Sequence, residues 1–170
     1  MISAVDTNIL LDLARPNPEF VDNAIDLLDA ASSEGAIVIS PIVRAEMSAH
    51  FKTEAMLDRF LAKLEISVDQ LDDTATWKAG QTWLQYRKGG GKRDRIITDF
   101  LIGAHAAHQT GRLLTRDRGF YRSYFPELKV VESPDQLYQS SIHTIDNPVS
   151  APVLVPNRSV SMPRRWSMLT

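Results

Sequence analysis

Two short strand-like runs, each followed within two residues by an aspartate, constrain the fold of this chain more than any other feature. The first run is Ile2 to Val5, before Asp6, and the second is Arg112 to Thr115, just before Asp117. Runs of this length between helical patterns predict buried strands of a parallel sheet. Because such sheets bind ligands beyond the carboxyl ends of their strands, we expect both aspartates at one site.

Helical periodicity and a further strand fill the interval between these runs. Apolar residues at helical spacing follow from about Pro18 and stop at Gly35, before a predicted strand over Ala36 to Ile39. Ser40-Pro41 is a typical helix start, which places Glu46 in the second turn. A later helix, from about Asp94 to Gln109, carries Asp99. We therefore predict an α/β/α sandwich, a mainly parallel central sheet with helices on both faces.

Composition changes near residue 140. The 170-residue chain has 44% hydrophobic and 24% charged residues, which suits one domain with a sizeable core. Beyond Ser140 it holds four prolines, no glycine and little periodicity. We predict one compact domain over residues 1–139 and an extended or disordered tail over residues 140–170. Because no apolar run reaches membrane-spanning length and no basic leader precedes the first strand, we expect a cytoplasmic protein with no membrane association.

The chain has no cysteine, so any metal must be held mostly by oxygen. Two carboxylates about 4 Å apart repel by about 4 kcal/mol at an effective dielectric near 20, and a divalent cation offsets this cost. Carboxylate ligands favour Mg²⁺ or Mn²⁺, and such ions promote in-line attack on a phosphodiester. In this hypothesis Asp6 and Asp99 hold the principal ion, Asp117 helps to hold it or a second ion, and Glu46 positions or deprotonates the attacking water.

Each acid taken alone also has a structural interpretation. Asp6-Thr7-Asn8 suits a helix cap, and Glu46 suits an exposed helix surface. Asp99 is harder to explain in this way, because its neighbours on the helix are largely apolar or small. Several other residues are predicted to be structural, namely Asp94 as a helix cap, Asp12 facing solvent, His105 and His108 at the surface or in packing, and Trp77 and Trp83 in the core.

The net charge of −2 gives no general attraction to nucleic acid, so local basic residues must decide any such contact. We identify four candidate RNA-binding residues, Lys92, Arg93, Arg116 and Arg118. The first two flank a glycine run that reads equally well as a solvated loop. The other two adjoin Asp117 and are better placed to hold a phosphate.

Four strings together resemble the PIN-domain family, specifically VapC-like toxins, over about residues 1–139. They are Val5-Asp6-Thr7-Asn8, Ala45-Glu46, Thr98 to Ala104 and Leu114 to Phe120. Each string is weak alone, but their order, spacing and placement on strand ends and helices agree. The family's catalytic acids fall on Asp6, Glu46, Asp99 and Asp117, and its supporting polar residues fall on Asn8 and Thr115.

This resemblance implies an Mg²⁺- or Mn²⁺-dependent endoribonuclease, the toxin of a toxin-antitoxin pair. It also implies a homodimer, a cognate antitoxin protein and a structured RNA substrate such as transfer or ribosomal RNA. The main alternative is a non-catalytic PIN-like module that binds RNA or protein. A phosphoaspartate phosphohydrolase would need an aspartate at position 8, where this chain has Asn8. A structure-specific DNA nuclease would need added DNA-binding segments that the sequence lacks.

Overall fold

A computed structural model of the chain describes residues 1–91, 97–117 and 119–137. Within these residues, five strands form one sheet: β1 (Ile2–Val5), β2 (Ala36–Ile39), β3 (Ile66–Val68), β4 (Arg112–Leu114) and β5 (Lys129–Val131). All pairings are parallel, in the order β3-β2-β1-β4-β5. The predictions for Lys92, Arg93, Asp94, Arg118 and the tail concern residues outside these ranges.

Helices flank the sheet and confirm the predicted α/β/α architecture. The described residues contain α1 (Thr7–Ala14), α2 (Val21–Glu34), α3 (Pro41–Ser48), α4 (Glu54–Lys63), α5 (Asp73–Lys88), α6 (Ile97–His105) and α7 (Phe120–Tyr124), with a short helical turn at residues 135–137. None of these helices has the length and apolar character needed to cross a membrane.

Local sequence explains most of these boundaries. The Ser40 hydroxyl accepts a hydrogen bond from the Val43 backbone N–H at 3.3 Å, and Pro41 occupies the first turn of α3. Gly35 separates α2 from β2 with φ +156°, and a Cβ there would lie 1.9 Å from the carbonyl oxygen of Met1. Only glycine can therefore make this turn beside the first strand.

The strand order places the predicted acids at a topological switch point. From β1 the chain adds β2 and β3 on one side, then returns to add β4 and β5 on the other. Adjacent β1 and β4 therefore feed connections that leave in opposite directions, and parallel sheets typically bind ligands beyond the carboxyl ends of such strands. Asp6 follows β1 and Asp117 follows β4 at this edge.

Two predictions about the helices need correction. Trp77 is 69% exposed, so its assignment to the core is wrong, whereas Trp83 is half-buried and packs against the core. In α5 only Ala75 and Ala79 are buried, and Trp77 lies about 200° around the helix from Ala75. The long helix predicted to reach Gln109 instead ends in a π-helical turn over Ala106–Thr110.

Candidate active site

Asp6 is buried where β1 passes into α1. Its backbone N–H donates to the Leu114 carbonyl at 3.0 Å, which ties it to the end of β4. Carboxylate oxygen Oδ1 accepts from the Thr7 backbone N–H at 2.7 Å. Oxygen Oδ2 accepts from Asn8 Nδ2 at 2.8 Å and from the Thr115 hydroxyl at 2.6 Å. Asp6 thus caps α1, as one interpretation predicted, and also joins two strand ends.

Asn8 and Thr115 bridge the carboxyl ends of β1 and β4. Asn8 Nδ2 also donates to the Thr115 hydroxyl at 3.0 Å, and Asn8 Oδ1 accepts from the Arg116 backbone N–H at 3.1 Å. The Thr115 hydroxyl also accepts from the Asp117 backbone N–H at 3.0 Å. With its one donor and two acceptor positions in use, this hydroxyl fixes the segment that carries Asp117 relative to Asp6.

Thr7 connects the Asp6 region to Glu46. Its hydroxyl donates a hydrogen bond to Glu46 Oε2 on α3, while its backbone N–H bonds to Asp6. The sequence pattern indicates only a helix cap at Thr7 and does not predict this link. No local signal identifies it, because the two residues lie 39 positions apart in sequence.

Asp6 is only 7% exposed, and this burial has the largest effect on the pKa of its carboxyl group. It raises the pKa of Asp6 to about 6, and repulsion from Glu46 and Asp99 adds to the rise. The hydrogen bonds from Thr115 and Thr7 oppose it. Asp99, in the first turn of α6, and Glu46 on α3 therefore lie within electrostatic range of Asp6.

Asp117 helps to start α7, because its Oδ1 accepts from the backbone N–H groups of Gly119 at 3.1 Å and Phe120 at 2.9 Å. The next residue of that helix, Tyr121, is buried, and this burial raises its pKa. Repulsion from the four predicted acids raises it further, first from Asp6 and then from the other three. Tyr121 therefore lies within electrostatic range of all four, which its aromatic segment did not reveal in the sequence.

The chemistry around Asp6 suits a hard cation, since the carboxylates of Glu46 and Asp99 lie within electrostatic range and the Thr115 hydroxyl bonds to Asp6 directly. In the described part of the chain, no three histidine, aspartate or glutamate side chains form a ready-made metal cluster. Mg²⁺ does not require one, because proteins often hold it through one or two carboxylates, with water and substrate phosphate completing its shell. The available residues fit such an ion in their chemistry.

Asp12 and Arg116 form an ion pair beside this network. Asp12 is 4% exposed, so the prediction that it faces solvent is wrong. Arg116 Nε lies 2.8 Å from Asp12 Oδ2, and Arg116 Nη2 donates to Asp12 Oδ1 at 3.0 Å. The guanidinium carbon lies 4.2 Å from the centroid of the Phe20 ring. A partner 104 residues away thus allows Asp12 to be buried.

Solved structures with this fold come from several bacteria. VapBC2 from Rickettsia felis, solved with a DNA fragment from its promoter, has 20% identity and a TM-score of 0.60, covering 77% of this chain and 98% of that one. VapBC-1 from nontypeable Haemophilus influenzae has 18% identity and a TM-score of 0.58, covering 78% and 98%. FitAcB from Neisseria gonorrhoeae has 22% identity and a TM-score of 0.56, covering 79% and 98%.

Sequence comparison identifies the family directly. No curated protein sequence matches the chain significantly. The sequence model of the PIN domain matches residues 4–126, which include the whole network from Asp6 to Asp117. The chain therefore belongs to the PIN-domain family.

Proposed function

We propose that this protein is a metal-dependent endoribonuclease and acts as the toxin of a toxin-antitoxin pair. The observation that carries the proposal is the buried Asp6 carboxylate, with Glu46 and Asp99 in electrostatic range, at the switch point of a PIN-domain sheet. Buried carboxylates that repel one another reduce stability, and a divalent cation is the simplest compensation.

Asp6, Asp99 and Asp117 are the proposed ligands of Mg²⁺ or Mn²⁺. The three hydrogen bonds to Asp6 use about three of the roughly four lone-pair positions of a carboxylate, so one position on Oδ1 remains for a cation. Once bound, the ion supplies Lewis-acid chemistry for attack on a phosphodiester. Asn8 and Thr115 support this set, because they fix the Asp6 oxygen that faces away from the remaining position.

Glu46 is the proposed residue that positions or deprotonates the attacking water. The Thr7 hydroxyl holds one of its carboxylate oxygens, which leaves the other available to a water molecule. Thr7 also bonds to Asp6 through its backbone, so the proposed base and the proposed ion site are held by one residue. Such fixed geometry is what general-base chemistry requires.

We propose a structured RNA as substrate, with transfer or ribosomal RNA as the first candidates. Lys92, Arg93 and Arg118 remain proposed phosphate contacts on the ground of their charge alone, because basic side chains hold an RNA backbone. The fold shared with VapBC2, VapBC-1 and FitAcB supports a cognate antitoxin as partner, and we also propose that the protein is a cytoplasmic homodimer.

Cleavage of a panel of structured RNAs tests the proposal. Purified partner-free protein is incubated with Mg²⁺, Mn²⁺ or chelator, beside Asp6→Asn and Asp99→Asn, which keep size but remove charge. Asp22→Asn, at an exposed position in the first turn of α2, controls for the loss of one charge. We expect ion-dependent cutting by wild type and Asp22→Asn, and a loss of about 100-fold or more in the two site variants.

Two outcomes would contradict the proposal. Equal cutting by wild type and by both site variants would indicate a contaminating nuclease and refute the assigned residues. RNA binding without cutting under any ionic condition would favour the non-catalytic PIN-like module.

A further inference from the structure

The Asp12–Arg116 ion pair joins three parts of the fold beside the proposed site. Asp12 belongs to α1, Arg116 follows β4, and the Phe20 ring beneath the guanidinium precedes α2. Arg116 Nη2 donates to Asp12 Oδ1 at 3.0 Å and Arg116 Nε lies 2.8 Å from Asp12 Oδ2, so one charge-assisted hydrogen bond and one further ionic contact join the pair. Arg116 is thus anchored from two directions within its own domain.

The sequence led us to expect that Arg116 contacts an RNA phosphate, and its contacts with Asp12 and Phe20 argue against this role. A guanidinium that moved to a phosphate would leave Asp12, 4% exposed, buried without its partner. Breaking a buried ion pair in this way is strongly unfavourable. The stacking contact with Phe20 would also be lost. Both costs favour a guanidinium that stays in place when substrate binds.

The backbone beside this side chain is part of the acidic site. The Arg116 N–H bonds to Asn8 Oδ1, and the next N–H, of Asp117, bonds to the Thr115 hydroxyl. That hydroxyl in turn donates to Asp6. A displacement of the Arg116 backbone would therefore shift the segment that aligns Asp117 with Asp6.

We propose that Arg116 is a positioning residue, held by Asp12, that sets the separation of Asp117 and Asp6, and that it is not a phosphate contact. The expected effect of Arg116 on kcat rests on the proposed nuclease function. Its expected effect on the Thr115 to Asp117 segment rests on the structure alone. Asp12 is assigned this role as well, since either partner's loss releases the same segment.

Arg116→Lys and Asp12→Asn separate positioning from phosphate binding. Lysine keeps the positive charge and can still meet a phosphate, but its ammonium group lacks the planar guanidinium that contacts both Asp12 oxygens and stacks on Phe20. Asparagine keeps the shape of Asp12 but loses its charge. With an RNA that wild type cleaves, we expect kcat to fall about tenfold or more in both variants, with KM unchanged. Arg44→Lys, at a surface arginine paired with Glu54 and Asp58, is the matched control and should change neither constant.

Amide hydrogen exchange gives a second readout that needs neither RNA nor metal. In both variants we expect the N–H groups of Arg116 and Asp117 to exchange about tenfold or more faster, while buried amides of α2 keep the wild-type rate. If wild type cuts no RNA, the proposed function fails, and the exchange rates alone decide whether the ion pair positions this segment.

Three results would overturn the inference. The first is full activity of Arg116→Lys together with a lower KM for Asp12→Asn, as expected if a released guanidinium grips RNA. The second is unchanged exchange at Arg116 and Asp117. The third is a uniform rise in exchange across the chain, which would reduce the ion pair to a general contribution to stability.

Discussion

Replacing Asp6 by asparagine should stabilise the metal-free protein, and the gain should grow with pH. Burial and neighbouring acids raise the pKa of Asp6 from 3.8 to about 6, so the folded state holds the proton more tightly than the unfolded chain does. Between these two values the unfolded chain ionises first, and the contribution of Asp6 to stability falls as pH rises. Asparagine has no proton to lose and escapes this cost.

The size of the gain follows from the two pKa values. One pKa unit corresponds to about 1.4 kcal/mol, so the ionised carboxylate costs about 3 kcal/mol once the pH exceeds the folded-state pKa. The asparagine amide also disturbs the bonds from Asn8 and Thr115 to Oδ2, which adds a penalty that does not vary with pH. The pH-dependent part of the difference is therefore the quantity to measure, about 2.5 kcal/mol between pH 4 and pH 8, because part of the titration lies below pH 4.

Urea unfolding with chelator present, at intervals from pH 4 to pH 8, gives the free energy of unfolding for wild type and Asp6→Asn. Asp22→Asn controls for the removal of one negative charge from a chain of net charge −2. A difference between wild type and Asp6→Asn that stays constant over this range would refute the reasoning. A difference that shrinks as pH rises would show that the folded state favours the ionised carboxylate.

Three further predictions concern other parts of the molecule. Thr7→Val removes the hydroxyl that holds Glu46 but keeps the backbone bond to Asp6. We expect kcat for RNA cleavage to fall about fivefold to tenfold in Thr7→Val and to be restored in Thr7→Ser. Gly103→Ala places a Cβ 2.2 Å from the ring of a buried phenylalanine, so the free energy of unfolding should drop by about 1–3 kcal/mol, measured in urea. Gly80→Ala, a helical position with open space around it, should instead raise that free energy by up to about 1 kcal/mol.

Local sequence predicted the elements of this fold well, because the relevant signals are short-range. The strands Ile2–Val5 and Ala36–Ile39 match their predicted limits, and Ser40-Pro41 starts α3 as expected. Apolar runs, capping side chains and turn glycines act within a few residues, so they can be recognised in a single sequence. The placement of Asp6 at a strand end followed from the same signals.

Contacts between distant segments were not predictable in the same way. Asp12 lies one turn beyond Asn8 on α1, and nothing near it in sequence indicates the arginine that buries it. The Thr7–Glu46 bond and the electrostatic effect of the acids on Tyr121 also depend on how β1, β4 and the helices assemble. Tertiary packing decides such burial, and helical or strand periodicity carries no information about it.

The free-energy cost of ionising Asp6 and the affinity of the proposed ion site for a cation are thermodynamically linked. Suppose a cation bound to the folded state returns the pKa of Asp6 from about 6 towards its ordinary value of 3.8. Linkage is reciprocal, so ionising Asp6 must then strengthen cation binding by up to about 3 kcal/mol, or about 100-fold in affinity. At pH 8, saturating Mn²⁺ should therefore raise the free energy of unfolding of wild type far more than that of Asp6→Asn. At pH 4 this difference between the two proteins should be much smaller. Equal stabilisation of both proteins at pH 8 would place the ion away from Asp6.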